Sequence, residues 1–271
     1  MSQDRKVAIV TGASSGIGRE AALAFARRGY AVVLAARREQ RLREVADACA
    51  EAGGEGMPHP TDVADREQVF EMVATAAERF GHVDVMVNNA GVGGYGRTHE
   101  TDEADMRRIF EVNYFGAWHG CKAVAPLMIR RGSGHVFNVA SVIGRRGTPL
   151  HGAYCASKAA LIQLTESMRV ELIGHGVLAT AVLPGLTKTE FFDDSDTGSA
   201  RRSSFVKLRT MMHPRAVGER IAATAGRRRA ELVFTPGGRI LTVLAPLLPG
   251  LTDRLMKVYH DDLVRRSTQN R

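Results

Sequence analysis

Short apolar runs alternate with longer stretches of helical spacing along most of this chain. That alternation restricts the fold more than any single residue does. KVAIV (6–10) precedes a helical pattern from about Gly16 to Arg28, which Gly29 is placed to end. AVVLA (31–35) precedes a charged helix near 38–52, and a weak strand before Pro60 precedes a helix near 65–80. VDVMVN (83–88) leads into a long helix over roughly 102–131, and HVFNVA (135–140) into a helix over 152–173. VLATAVL (177–183), a helix over 212–226 with Pro214 in its first turn, and ELVF (231–234) complete the series. Runs this short and this apolar fit strands buried on both faces, hence a parallel sheet covered by helices on both sides. Right-handed crossovers then give a doubly wound α/β arrangement of about seven strands.

Nothing in the 271 residues reads as a linker or an internal repeat, so one domain over 1–271 is expected. Apolar residues make up 44% and charged residues 24%, enough to build a core and too much to leave the chain disordered. No apolar run approaches the roughly 18–20 residues that cross a bilayer. MSQDRK leads straight into VAIV without the apolar stretch of a signal peptide. Cys49, Cys121 and Cys155 are too few and scattered for a disulfide framework or a zinc site, and suit reduced thiols in a cytoplasmic protein. The nine histidines show no HExxH spacing, so no metal is expected. The net charge of +8 is uneven: residues 201–271 hold 15 Lys/Arg against 5 Asp/Glu, and residues 1–200 hold 22 against 24. No nucleic-acid-binding motif accompanies that basic quarter, so nucleic acid is not an expected partner.

After the first strand comes Thr11-Gly12-Ala13-Ser14-Ser15-Gly16-Ile17-Gly18. Glycines at the strand end, the turn and the helix start permit positive φ or close approach of a ligand. The helix N-terminus behind them offers free N–H groups and partial positive charge to a pyrophosphate. The spacing is G-x-x-x-G-x-G, and with it the string resembles the short-chain dehydrogenase/reductase family. Later motifs extend the resemblance over about residues 6–190: Asn88-Asn89-Ala90-Gly91, Ser141, Tyr154-Cys155-Ala156-Ser157-Lys158 and Pro184-Gly185. It implies a single-domain Rossmann-type fold and a nicotinamide cofactor held by Gly12, Ser14, Ser15, Gly16, Ile17 and Gly18. It also implies that Asp62 contacts adenine, that Val63 backs the ring, and that Asn89, Ala90 and Gly91 lie near the adenine ribose. Pro184, Gly185, Thr187 and Thr189 are implied cofactor contacts too. Thr187 stands where the family usually has Val, a nearly isosteric exchange.

The second strand ends Leu34-Ala35-Ala36-Arg37-Arg38. A carboxylate there would grip the ribose hydroxyls of NAD, but the position is Ala36. Arg37 and Arg38 instead suit the 2′-phosphate of NADP through forked, charge-assisted bonds, so NADP(H) is expected over NAD(H).

Tyr154 and Lys158 are four residues apart on a helix and share a face. A phenol ordinarily titrates near about 10 and an ammonium near about 10.4, and the neighbouring cation is expected to pull the phenol down toward the working pH. The family resemblance makes Asn113, Ser141, Tyr154 and Lys158 the catalytic set. Ser141 would hold a substrate carbonyl, Tyr154 would act as acid or base, and Lys158 would bind the nicotinamide ribose. The backbone carbonyl of Asn113 would hold a water that links Lys158 to solvent. The implied activity is hydride exchange between a ketone or aldehyde and an alcohol. A non-catalytic cofactor-binding protein, a β-ketoacyl thioester reductase and a sugar-nucleotide epimerase are the alternatives.

The family places a substrate lid where 186–212 lies, with Phe191, Phe192 and Phe205 as candidate contacts. Members usually form dimers or tetramers through helices corresponding to 102–131 and 152–173. The variable tail, 238–271, contains ILTVLAPLLPGLTDRLMKV. It could lie on a membrane surface or pack as a lid or dimer helix. Pro246 and Pro249 interrupt a long amphipathic helix, which favours packing.

Overall fold

The computed structural model describes residues 5–190 and 211–268. Phe191, Phe192 and Phe205 lie outside the described residues. Seven parallel strands form one sheet in the order β3-β2-β1-β4-β5-β6-β7. In chain order the strands are β1 (Val7–Thr11), β2 (Ala31–Ala36), β3 (Glu55–Pro60), β4 (Val85–Asn88), β5 (Gly134–Val139), β6 (Val177–Leu183) and β7 (Glu231–Val233). Between them run α1 (Gly16–Ala26), α2 (Glu39–Glu51), α3 (Arg66–Phe80), α4 (Glu103–Phe110), α5 (Gly116–Arg131), α6 (Gly152–Glu171) and α7 (Pro214–Thr224). Two further helices follow β7, α8 (Pro236–Leu247) and α9 (Pro249–Thr268). The expected single doubly wound α/β domain is the observed one.

Strand alternation sorts the core into two layers. Ala8, Val10, Val32 and Leu34 point to one face and pack with Phe25 of α1 and Leu42 of α2. Ile9, Val33 and Ala35 point to the other, against Met72 of α3 and Val124 and Met128 of α5. Each β1 residue is buried, as a central strand of a covered parallel sheet requires.

Local chemistry sets the helix ends. Asp65 caps α3 by accepting from the Gln68 N–H at 3.2 Å. Gly81 ends the same helix at φ 82°, a left-handed turn that suits glycine.

The expected helix over 102–131 runs without a break through α4 and α5, but residues 111–115 between them form a π-turn, and Asn113 is inside it. A π-turn accommodates one extra residue per turn, which apolar spacing does not reveal. The tail is interrupted at its prolines as expected: α8 ends at Leu247, one residue past Pro246, and α9 starts at Pro249. One side of the tail packs inward through Ala245 and Thr252, while Ile240, Val243, Leu247 and Leu255 are exposed.

Candidate active site

The strand order reverses between β1 and β4, which both border the same gap at the carboxyl edge of the sheet. Ligands of open α/β sheets bind at such a reversal. A cavity of about 1100 Å³ opens there.

Its floor begins at the glycine turn. Gly12 has φ 64° and Gly16 has φ 55°. A Cβ on Gly12 would stand 2.8 Å from Asn89 Nδ2, and one on Gly18 would stand 2.2 Å from the Gly12 carbonyl oxygen. The turn therefore closes only with bare backbone at both places. Ser15 caps α1 without a side-chain bond to its first turn, so those N–H groups are not used by the cap. The Ser15 hydroxyl accepts instead from Arg38 Nη2 at 2.9 Å, as does Ser14 Oγ at 2.9 Å. Thr11, which the sequence motifs did not single out, ties this turn to the fourth strand. Its Oγ1 accepts from the N–H groups of Asn89 at 2.9 Å and Ala90 at 3.1 Å.

At the end beside β2 and β3, Ala36, Arg37, Arg38, Asp62 and Val63 line the cavity wall. Val63 is buried and joins the core layer under α3 and α5. Asp62 accepts from the Ala64 N–H at 3.1 Å, which fixes its carboxylate. Glu190 closes this corner, receiving Arg38 at 3.1 Å and Arg41 at 2.6 Å.

At the other end, Ser141 lies just past β5, while Tyr154 and Lys158 stand on α6. All three side chains line the cavity. Ser141 and Tyr154 are hydrogen-bonded to each other. Lys158 is 3% exposed, and its Nζ donates to the Val139 carbonyl at 2.9 Å. That Nζ lies 5.7 Å from the Tyr154 ring centroid.

The phenol is not acidified here as the four-residue spacing suggested. Burial pushes the Tyr154 pKa well above 10, outweighing the lowering by Ser141. Burial likewise pulls Lys158 down to about 8. Both shifts favour the uncharged form, the sign that desolvation demands.

Among the expected residues, Gly18 and Asn113 alone stand behind the cavity wall; the rest line it. Asn113 is fully buried. Its Oδ1 accepts from the Val92 N–H at 2.8 Å, and its Nδ2 donates to the Val92 carbonyl and to Ser157 Oγ, each at 3.0 Å. Pro184, Gly185, Thr187 and Thr189 line the wall after β6. The Thr187 hydroxyl donates to the Gly185 carbonyl at 2.9 Å, which satisfies the polar group this position adds. Cys155 is buried, and its thiol sits 3.4 Å from the Thr148 N–H, a packed position.

Arg146, His151, Met256 and Tyr259 are among the wall residues that carry no local sequence signal. Met256 and Tyr259 arrive from α9, about a hundred residues beyond Tyr154, so only the folded chain brings them here. The His151 Nδ1 lies 3.0 Å from the Gly94 carbonyl, which can only accept, so the proton is on Nδ1. Burial holds this ring's pKa low.

The cavity fits an extended dinucleotide on observed features: a backbone cradle that a Cβ would fill, a helix start whose N–H groups no side chain takes up, and arginines at the corner beside β2.

The short chain dehydrogenase family profile matches residues 6–199. An uncharacterized oxidoreductase of Staphylococcus saprophyticus is 37% identical over 198 residues, covering 73% of this chain and 85% of the relative. Ketoacyl reductase HetN of a Nostoc species is 30% identical over 260 residues, covering 93% and 88%. Among solved structures, an alcohol dehydrogenase from Thermococcus sibiricus complexed with 5-hydroxy-NADP is similar at a TM-score of 0.76 and 33% identity, over 85% of this chain and 96% of that one. A Burkholderia phymatum family member in complex with NAD is similar at a TM-score of 0.84 and 30% identity, over 93% and 96%. With the sheet order, the glycine cradle and the Ser141, Tyr154 and Lys158 cluster, these matches make the chain an oxidoreductase of the short-chain dehydrogenase/reductase family.

Proposed function

We propose that this protein is an NADP(H)-dependent oxidoreductase that interconverts a lipophilic ketone or aldehyde with its alcohol. The observation that carries the reading is the meeting of Ser141, Tyr154 and Lys158 at one end of a cavity whose other end is a dinucleotide cradle.

The bound nicotinamide would supply hydride to the carbonyl carbon, or accept it in the reverse direction. The chain's own groups handle the oxygen. Ser141 donates a hydrogen bond to the carbonyl oxygen and orients it. Tyr154 gives that oxygen its proton during reduction and takes it back during oxidation. A phenol kept protonated by burial is in the correct state to donate, so neutral pH favours reduction. Lys158, anchored by the Val139 carbonyl, holds the cofactor ribose and places positive charge beside the developing alkoxide. Asn113 is the positioning residue of the π-turn, whose backbone carbonyl holds a water that passes protons to Lys158. The complete set argues against a purely regulatory cofactor-binding role.

NADP(H) is favoured by Ala36, which leaves no carboxylate for ribose hydroxyls, and by the arginines beside it. Leu150, Ile143 and Met256 on the cavity wall support a lipophilic substrate. Arg146 on the same wall, with the 30% identity to a ketoacyl reductase, supports a β-ketoacyl thioester as the second reading. Assembly with further copies through α5 and α6 is supported by exposed Ile129 and Val170 on those helices and by exposed Ile173 just past the end of α6.

The test is NADPH consumption against a panel of lipophilic ketones, aldehydes and β-ketoacyl thioesters. Tyr154→Phe should lower turnover by about 100-fold or more while NADPH still binds. Near-normal turnover in that variant would remove the proposed acid.

A further inference from the structure

Helices α8 and α9 turn a continuous apolar row away from the protein. On α8 the row is Ile240, Val243, Leu244 and Leu247, spaced i, i+3, i+4 and i+7. On α9 it continues as Leu251, Leu255 and Val258, with Leu248 at the joint. All eight are between 41% and 69% exposed. The opposite side of the same helices already has its neighbours: Ala245 and Thr252 are buried, and Met256 and Tyr259 face the cavity. The outward row is therefore not an unused half of the core.

A second depression lies at the start of α8. Arg239 of that helix lines it together with Arg220, Arg227 and Arg229. The one acid of this wall, Glu231, is already paired with Arg145. Cations thus gather where the apolar row begins.

We propose that this face docks on an anionic lipid bilayer, with α8 and α9 lying in the headgroup layer. Apolar side chains on one face of a helix with cations beside them are what an interfacial helix needs. The arginine cluster supplies attraction to negative headgroups, and the leucines supply burial. A second copy of this chain would instead bring the same positive cluster to the same face. No helix among the described residues is long and apolar enough to cross a membrane, so the contact is peripheral. The surface contains no residue of the proposed reaction, so the two proposals stand or fall separately.

The experiment is co-sedimentation of the full chain with vesicles of phosphatidylcholine containing about 30% phosphatidylglycerol, and with phosphatidylcholine alone. Wild type should partition onto the anionic vesicles and release as salt is raised. Arg227→Glu/Arg229→Glu/Arg239→Glu should weaken partitioning by about 100-fold or more, since each cation contributes independently. Leu247→Asp/Leu251→Asp should weaken it by about 10-fold or more through lost burial. Because all five positions are exposed, an unchanged thermal transition certifies folding. The proposal is overturned if wild type stays in the supernatant, if it sediments equally with neutral vesicles, or if either folded variant binds as wild type does. A wild type that light scattering shows to pair through this face, with no vesicle binding, assigns the face to a second copy.

Discussion

Glu190 stands between Arg38 and Arg41, 3.1 Å from the first and 2.6 Å from the second. The hydrogen bond from Arg41, followed by that from Arg38, holds its carboxyl below the usual range. A carboxylate thus sits against the guanidinium proposed to receive the 2′-phosphate of NADP. The two anions would compete for Arg38. An exposed pair of this kind contributes about 0.2–1 kcal/mol. Glu190→Ala should therefore tighten NADPH binding by about two- to five-fold and leave NADH binding unchanged, read by fluorescence titration. Weaker NADPH binding would mean that Glu190 orients Arg38 instead of competing for it.

The cofactor preference has its own test at the end of β2. Ala36→Asp with Arg37→Ile supplies a ribose-binding carboxylate and removes one cation. The ratio of kcat/KM for NADPH over NADH should fall by about 10-fold or more. An unchanged ratio would remove the assignment of NADP(H).

The pH dependence follows from Lys158. Its ammonium persists below about 8 and is lost above it. Reduction measured as kcat/KM should be flat through neutrality and decline above pH 8 as that charge disappears. Oxidation needs Tyr154 to accept a proton, and its raised pKa makes that direction climb with pH. A reduction rate that rises through this range contradicts the assignment of both groups.

The same lysine destabilises the fold at neutral pH, because its charge is buried with one carbonyl partner. Its folded pKa of about 8 lies below the ordinary 10.5. Between those values the unfolded chain holds the proton and the folded chain does not, so stability rises with pH there. Lys158→Met should raise Tm by about 2–6 °C at pH 7 and abolish turnover. The gain should shrink toward pH 10, where the wild type no longer carries the charge. A gain independent of pH would point to packing alone.

Asn113 binds Val92 twice and Ser157 once from full burial. Asn113→Ala leaves those groups without partners and should cost about 2–4 kcal/mol of stability, measured by urea unfolding. Asn113→Asp keeps the acceptor for the Val92 N–H but sets a carboxylate oxygen against the Val92 carbonyl in full burial, so at neutral pH it should cost at least as much as Ala.

The parts legible in the sequence are those written locally. Strand and helix alternation carried the fold, and TGASSGIG between a strand and a helix carried the cradle. What escaped depends on tertiary environment. The i, i+4 geometry of Tyr154 and Lys158 was readable, but the sign of the phenol's shift was not. Burial raises it more than the Ser141 hydrogen bond lowers it, and burial is decided by elements far away in the chain. Asn113 was carried by the family resemblance alone, since nothing in the local sequence marks the π-turn that holds it. In the tail, the leucines showed that something must cover them, while spacing alone could not say which side of the helix faces the core.

Strand β3 borders the open side of the sheet, and its sequence is EGMPHP. The N–H of Glu55 and of Thr61 both point toward β2, donating to the Tyr30 and Ala36 carbonyls. Positions 56, 58 and 60 therefore direct their backbone nitrogens away from the sheet. Two of those three are prolines, Pro58 and Pro60, which have no hydrogen to offer. An incoming strand finds little to grip on that margin, so the molecule resists edge-to-edge polymerisation without covering its border.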